Sequence, residues 1–195
     1  MDYRIVYKNF SDQLPAGITL RGEGLIPKQQ FYFSRLALLE ALSHQFPESK
    51  WPACQNLSFD YLSVEGRPDA LVSLAHTKDL AIALAASAPP YLSVGIDLEK
   101  KNRVVKEGAH RHYLNQKDDP ILFERPLLGW TLKEAAFKAL DPIKKQFTAT
   151  EVLVLKDLWV NGDRFGLNDE VIGLVYIEEL LEDYWVAVAT IPYRQ

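Results

Sequence analysis

The chain has 195 residues, of which 48% are hydrophobic and 25% are charged, a composition typical of globular rather than disordered proteins. Its net charge of −4 argues against a broad nucleic-acid-binding surface, and its single cysteine, Cys54, excludes an internal disulfide framework. Because no apolar run has membrane-spanning length and the N-terminus carries no signal-like apolar block, we expect a cytoplasmic protein without nucleic-acid or membrane partners.

The first part of the chain is predicted to combine one long helix with several strands. Residues 11–24 read as a polar connection punctuated by glycine and proline, and Pro27 opens a helix that ends near residue 46. The Pro-Pro step at 89–90 ends the last strand and predicts a boundary between two similar halves, residues 1–90 and 91–195. The strands predicted here are 3–10, 59–64, 70–74 and 80–88.

The second half is predicted to form a strand, a helix and an antiparallel meander. The strand covers 91–99, and the helix runs from 127 to 140 behind Pro126, which suits a first helical turn. Asn161-Gly162 is the strongest short hairpin signal in the chain. The meander strands expected around it are 152–160, 171–177 and 184–191.

Residues 94–99 (VGIDLE) place two acids on one side of the predicted strand. Because hydrophobic residues alternate with the others, Asp97 and Glu99 project from the same face, about 6–7 Å apart along the strand. Carboxylates this close repel each other, and a hard cation such as Mg²⁺, which prefers oxygen ligands, would remove that cost. The alternative is an exposed strand face that happens to be acidic.

The helix at 127–140 adds a third acid and further bases. Glu134 and Lys138 lie one turn apart on the same face. They form either an ordinary i,i+4 ion pair, with Thr131-x-x-Glu134 as a capping box, or, with Lys133, part of a site for a cation and a polyphosphate. A different stripe of the helix, predicted to face the core, contains Leu128, Leu132, Ala135 and Ala139.

Together, residues 95–99 (GIDLE) and 130–138 (WTLKEAAFK) resemble the paired signature of the 4′-phosphopantetheinyl transferases, in order, spacing and residue type. The resemblance is closest to the larger single-chain members that activate siderophore and peptide synthetases. Residues 66–68 (GRP) resemble the Gly-Lys-Pro turn of this family, and residues 72–77 (VSLAHT) resemble its Ser-His strand end. The resemblance implies an α+β fold of two similar halves, with antiparallel sheets and packed helices related by pseudo-twofold symmetry.

The resemblance also implies the reaction. The enzyme would transfer the 4′-phosphopantetheine arm of coenzyme A to a serine of an apo acyl or peptidyl carrier protein, with Mg²⁺, and release 3′,5′-adenosine bisphosphate. The carrier could serve fatty-acid, polyketide or non-ribosomal peptide synthesis, and two halves in one chain predict a monomer. Since carrier proteins present acidic helices, a local basic or apolar docking rim is expected.

The resemblance assigns the site residues as follows. The metal ligands are Asp97, Glu99 and Glu134, and the groups that neutralise the phosphates are Lys133, Lys138, Arg67, His76 and Arg35, with Lys28 as a weaker candidate. Residues 113–118 loosely resemble an aromatic motif that ends in a catalytic or metal-binding Glu. Asp118, or Asp119 in the neighbouring register, would replace that Glu and join Glu134 and Lys138 as a catalytic residue.

Two departures from the family pattern keep alternatives open. Ala75 stands where the family usually has Ser, which removes one hydroxyl donor to phosphate, and Asp118 is one methylene shorter than Glu. The chain could therefore be a non-catalytic relative that binds coenzyme A or a carrier protein. It could also be another Mg²⁺-dependent phosphate-ester enzyme that uses the same three acids.

Overall fold

The computed structural model describes the backbone of residues 3–10 and 25–193, and the side chains of 3–10 and 28–193. The chain divides into two compact units, Met1–Pro90 and Tyr91–Gln195, and the division falls at the residue where the sequence predicts it. The connection predicted at 11–24 lies outside the described residues. Among the described residues, no helix is both long and apolar enough to cross a bilayer.

The first unit packs one long helix on a four-stranded antiparallel sheet. The helix is α1 (Leu25–Gln45), and the strands are β1 (Tyr3–Asn9), β2 (Ser63–Val64), β3 (Arg67–His76) and β4 (Leu80–Ser87). The strand order is β1-β4-β3-β2. The predicted long helix and the first and last strands are confirmed. Small and aliphatic side chains form the core between α1 and the sheet, among them Ala37, Leu38, Ala41, Leu42, Val72, Ala83 and Ala85.

The strand predicted at 59–64 is mostly absent. Only β2 and a single bridge from Phe59 to Val64 remain. The cause is local, because the Asp60 carboxylate accepts hydrogen bonds from the backbone N–H groups of Leu62 and Ser63, at 3.1 and 2.9 Å. These bonds close a turn of the kind that Asp favours, and Tyr61 within it adopts a φ of 69°.

The second unit repeats this scheme with a five-stranded antiparallel sheet. Its elements are β5 (Tyr91–Lys100), α2 (Ile121–Glu124), α3 (Pro126–Leu140), β6 (Leu158–Asn161), β7 (Arg164–Leu167), β8 (Glu170–Glu178) and β9 (Tyr184–Pro192). The strand order is β5-β9-β8-β7-β6. In both units the first strand pairs with the last one, and a helix follows the first strand. The protein is therefore α+β, with two antiparallel sheets.

The meander differs from its prediction at its first strand. The Asp157 carboxylate accepts a hydrogen bond from the Val154 N–H at 2.9 Å, and this bond stabilises a 3-10 turn at Leu155–Asp157. Strand β6 therefore begins at residue 158. The hairpin at Asn161-Gly162 is confirmed, and Gly162 supplies the positive φ of 59° that the turn requires. The returning strand β7 was not among the predicted strands.

Gly95 brings the backbones of β5 and α3 into direct contact. A Cβ at this position would lie 2.0 Å from the carbonyl oxygen of Ala135 and 2.6 Å from the backbone nitrogen of Ala139. Side chains at 95, 97 and 99 share one face of a strand, so the acids of β5 lie on the side that packs against α3. This contact fixes how close those acids come to the helix.

Gly95→Ala is expected to lower the free energy of unfolding by about 3 kcal/mol or more, because the added methyl group overlaps helix backbone that cannot move aside cheaply. Urea unfolding measures the loss. The matched control is Ser93→Ala on the same strand, which removes a buried hydroxyl that has no hydrogen-bond partner and should cost little. Equal stability of Gly95→Ala and the parent chain would contradict the tight contact.

Candidate functional site

Asp97 and Glu99 are buried rather than displayed on an exposed strand. As whole residues, Asp97 is 7% exposed and Glu99 is 9% exposed, even though Glu99 is next to the last residue of β5. The alternative of an exposed acidic face is therefore wrong. Since burying an ionised carboxylate without a partner is costly, each of these acids requires a cation, and the structure supplies one for each.

Lys138 of α3 is the cation for Asp97. Its ammonium lies 2.7 Å from Asp97 Oδ1 and donates a second hydrogen bond to the carbonyl oxygen of Ile96 at 3.2 Å. Lys138 therefore links α3 to β5, an interaction that an i,i+4 ion pair along its own helix would not provide. The capping-box alternative is wrong as well: α3 begins at Pro126, and the buried Thr131 hydroxyl donates within the helix to the Leu127 carbonyl.

The second oxygen of Asp97 is buried and has no hydrogen-bond partner. Desolvation by burial raises the pKa of this carboxyl, and the nearby charges of Lys138 and Arg103 only partly oppose that rise. A buried oxygen with unused lone pairs is one that a cation can occupy without displacing another bond.

Glu134 lies on α3 within electrostatic range of both strand acids. Burial raises the pKa of its carboxyl, and the negative charges of Asp97 and Glu99 raise it further, whereas Lys138 lowers it. The structure thus brings the three predicted metal ligands into one electrostatic neighbourhood. Desolvation, together with this mutual repulsion, makes the ionised state of Glu134 less favourable than that of a carboxylate in water.

Arg103 pairs with Glu99 through its Nη1 atom and the carboxylate Oε1. It follows β5 in a loop whose backbone is held by a hydrogen bond from the Arg103 N–H to the Lys100 carbonyl, at 2.9 Å. No sequence motif assigns a role to this arginine. The only signal for it was a positive charge four residues after Glu99, a spacing that has no special meaning outside a helix.

The three acids fit a hard divalent cation by donor chemistry. All three offer carboxylate oxygens, one of those oxygens is buried without a partner, and two carboxyl groups are held in an environment that disfavours their charge. Within residues 3–10 and 25–193, however, no three His, Cys, Asp or Glu side chains already stand close enough to form a metal-binding group. Side-chain movement would be needed to bring the oxygens to one ion.

Lys133 and Asp118 form a fully buried ion pair, with both side chains 0% exposed and 2.6 Å between Lys133 Nζ and Asp118 Oδ2. The ammonium also donates to the Tyr113 carbonyl at 2.6 Å. The carboxylate accepts two backbone N–H groups, from Asn115 at 2.6 Å and Val160 at 2.7 Å. In this arrangement Lys133 cannot reach a phosphate, and Asp118 cannot reach a substrate hydroxyl. The pair instead ties α3 to the loop before α2 and to β6.

Two of the predicted phosphate-binding residues of the first unit, Arg67 and Arg35, are also engaged in internal contacts. The Arg67 guanidinium bonds both carboxylate oxygens of Asp69, at 2.9 and 2.8 Å, and the Ser49 hydroxyl at 3.1 Å. It lies over the rings of Phe46 and Trp51. Arg35 lies over two aromatic rings, those of Phe31 and Phe59, at 3.7 and 5.3 Å from the ring centroids. His76 is exposed at the end of β3, and Lys28 is half-buried on α1.

A cleft of about 740 Å³ lies elsewhere on the second unit and does not include the three acids in its lining. Its charged walls are Arg111, Lys117, Lys156 and Asp157. Lys117 is also paired with Asp169, 2.5 Å away, so three cations and two carboxylates leave a net charge of +1 on a chain of net charge −4. Its apolar lining includes the half-buried ring of Trp159 and the partly exposed ring of Phe123. The cleft is therefore a locally basic and aromatic surface on an acidic protein.

Glu134→Gln is expected to stabilise the metal-free protein by roughly 1 kcal/mol near neutral pH, because it removes one of three repelling carboxylates. The pKa of Glu134 in the folded protein lies above its ordinary value of 4.5. Between that value and the folded pKa, the folded state therefore binds more protons than the unfolded chain. Raising the pH through this range lowers the free energy of unfolding of the parent chain. The advantage of the variant should thus shrink on acidification.

Urea unfolding with EDTA at about pH 7 and about pH 5 checks this expectation. Glu151→Gln is the matched control, because Glu151 is exposed and lies outside the acidic group. An advantage of Glu134→Gln that stays constant or grows toward low pH would contradict the raised pKa.

The chain matches neither a protein-family model nor a curated protein at a significant level.

Proposed function

We propose that the protein is a 4′-phosphopantetheinyl transferase that moves the phosphopantetheine arm of coenzyme A to a serine of an apo carrier protein. The observation that carries this proposal is the meeting of two motifs across β5 and α3. Asp97 and Glu99 from one motif face Glu134 and Lys138 from the other, and the ion pair between Lys138 and Asp97 spans the contact. The more specific fold assignment, the phosphopantetheinyl transferase fold, and a monomeric state are part of the same proposal.

In this proposal Asp97, Glu99 and Glu134 hold Mg²⁺, which would supply positive charge against the diphosphate of coenzyme A. Lys138 is partly exposed at the edge of the site and neutralises phosphate oxygens. The serine oxygen attacks the phosphorus attached to pantetheine while the bond from that phosphorus to the adenosine bisphosphate breaks. Glu134 is the carboxylate that we expect to accept the serine proton, since it lies beside the proposed metal and a positioned carboxylate can act as a general base.

The proposal gives Lys133 and Asp118 a different role from the one that the resemblance implies. Because both are fully buried and bonded to each other, they position α3, and with it Glu134 and Lys138, rather than touch the coenzyme. Arg67 and His76 remain predictions of the resemblance. For Arg67, contact with a phosphate would require the guanidinium to exchange its bonds to Asp69.

The experiment that tests the proposal measures mass. The pure protein is incubated with Mg²⁺, coenzyme A and an apo acyl or peptidyl carrier protein, and the carrier is then weighed. The expected result is a gain of one phosphopantetheine arm, together with release of 3′,5′-adenosine bisphosphate. Coenzyme A binding without a mass gain would indicate a non-catalytic relative and contradict the proposal.

A second candidate function is another Mg²⁺-dependent reaction on a phosphate ester. It is favoured by one observation: Lys133 and Arg67, two cations expected to meet coenzyme phosphates, are both bonded to internal carboxylates. The same incubation separates the two functions, because hydrolysis of the coenzyme without modification of the carrier would support the second.

The basic cleft supports the carrier-protein part of the proposal. Carrier proteins present acidic helices, and a positively charged, partly aromatic surface matches them in charge. The double substitution Lys117→Glu and Lys156→Glu is expected to raise KM for the carrier about tenfold or more and leave KM for coenzyme A unchanged. Steady-state kinetics with each substrate varied separately measures the split. An unchanged carrier KM would place the docking surface elsewhere.

A further inference from the structure

We propose that Arg103 is a resident counter-ion that a divalent cation displaces from Glu99, so that metal binding frees a guanidinium to meet an anionic ligand. This inference rests on the proposed function for its metal site. It concerns a residue to which neither the sequence motifs nor the resemblance gave a role.

Arg103 lies on the solvent side of the acidic group. Its guanidinium bonds Glu99, and its charge also acts on Asp97 and on the Tyr113 hydroxyl. The Arg103 side chain is 53% exposed, whereas that of Glu99 is only 11% exposed. The arginine therefore approaches the buried acid from the solvent side, and it can move away without opening the core.

The side chains of the site carry a net negative charge. Three carboxylates, those of Asp97, Glu99 and Glu134, face two side-chain cations, Lys138 and Arg103, which leaves one net negative charge. A bound divalent cation changes the net charge of the site to +1. This positive charge attracts an anion and opposes binding of the metal by itself. Metal and anion are therefore expected to bind cooperatively, because each compensates the charge that the other introduces.

The two cations of the site, Lys138 and Arg103, are held differently. Lys138 belongs to α3 and donates two hydrogen bonds to β5, one of them to a backbone carbonyl. Arg103 comes from a loop and pairs with one carboxylate, through Glu99 Oε1. A divalent cation bound by that carboxylate would compete with the guanidinium for its negative charge. Arg103 is thus the cation that a metal can displace with the smaller structural change, and once displaced it remains beside the site.

The test uses Arg103→Gln, which keeps hydrogen-bonding capacity but removes the charge. Calorimetric titration with Mg²⁺ alone is expected to show about tenfold tighter binding in the variant, because the competitor for Glu99 has been removed. Titration with coenzyme A at saturating Mg²⁺ is expected to show about tenfold weaker binding, because the freed guanidinium is missing. The matched control is Arg164→Gln, an exposed arginine of β7 in the same unit, which should leave both affinities unchanged.

The two opposite changes make the outcomes separable. If the parent chain binds Mg²⁺ and Arg103→Gln binds it with the same or lower affinity, the inference is overturned and the proposed function stands. If Mg²⁺ tightens but coenzyme A does not weaken, the transfer of the guanidinium to the anion is overturned. If the parent chain binds no Mg²⁺ at all, the inference and the metal assignment fall together.

Discussion

Asp97→Asn is expected to reduce phosphopantetheine transfer by at least about a thousandfold, while the protein remains folded. The substitution keeps the shape of the side chain but removes the negative charge that Lys138 and the proposed Mg²⁺ both require. A metal that neutralises developing phosphate charge is worth several kcal/mol. The loss should appear in kcat and in the amount of Mg²⁺ bound at equilibrium, measured by carrier mass and by calorimetry.

Asp163→Asn is the matched control for this prediction, because Asp163 lies in the exposed turn between β6 and β7. It should retain full activity. Circular dichroism of Asp97→Asn excludes simple unfolding as the cause of the loss. Transfer at a rate within tenfold of the parent chain would rule out Asp97 as a metal ligand.

Lys133→Met is expected to lower the free energy of unfolding by about 3–5 kcal/mol, because it leaves the fully buried Asp118 carboxylate without its cation. The double substitution Lys133→Met with Asp118→Leu should recover part of this loss, since no unpaired charge then remains. Recovery should be incomplete, because the N–H groups of Asn115 and Val160 lose their common acceptor.

A double-mutant cycle by urea unfolding measures this coupling. If Lys133 were instead a phosphate ligand held at the surface, Lys133→Met would cost less than about 1 kcal/mol and would act mainly on KM for coenzyme A. The two measurements together therefore distinguish a positioning role from direct contact with the coenzyme.

Much of the architecture follows from the sequence because its signals are local. Proline at the start of α3 and at 89–90, the apolar spacing of Leu132, Ala135 and Ala139, and the Asn-Gly turn each act within a few residues. The predicted helices and the division of the chain depend on such signals. The shared position of Asp97 and Glu134 was predicted from two motifs, not from any property of either residue alone.

The remaining features depend on contacts between distant parts of the chain. Lys133 and Lys138 are chemically identical and five residues apart on one helix, yet one is fully buried and the other partly exposed. No local pattern separates them, because the difference comes from Asp118 and from what α3 packs against. Arg103 was missed for the same reason, and the Asp60 turn shortened β2 through a side-chain bond that competes with strand pairing.

The contact at Gly95 has a consequence for how such a protein can evolve. Because main-chain atoms set the separation between β5 and α3, aliphatic residues elsewhere in the core can be exchanged for one another without altering the distance between acid and ammonium. In a saturation library, position 95 should accept glycine alone, while Val94 and Ile96 accept several aliphatic residues. The sequence of this unit can therefore change extensively while the distance between the Asp97 carboxylate and the Lys138 ammonium is preserved.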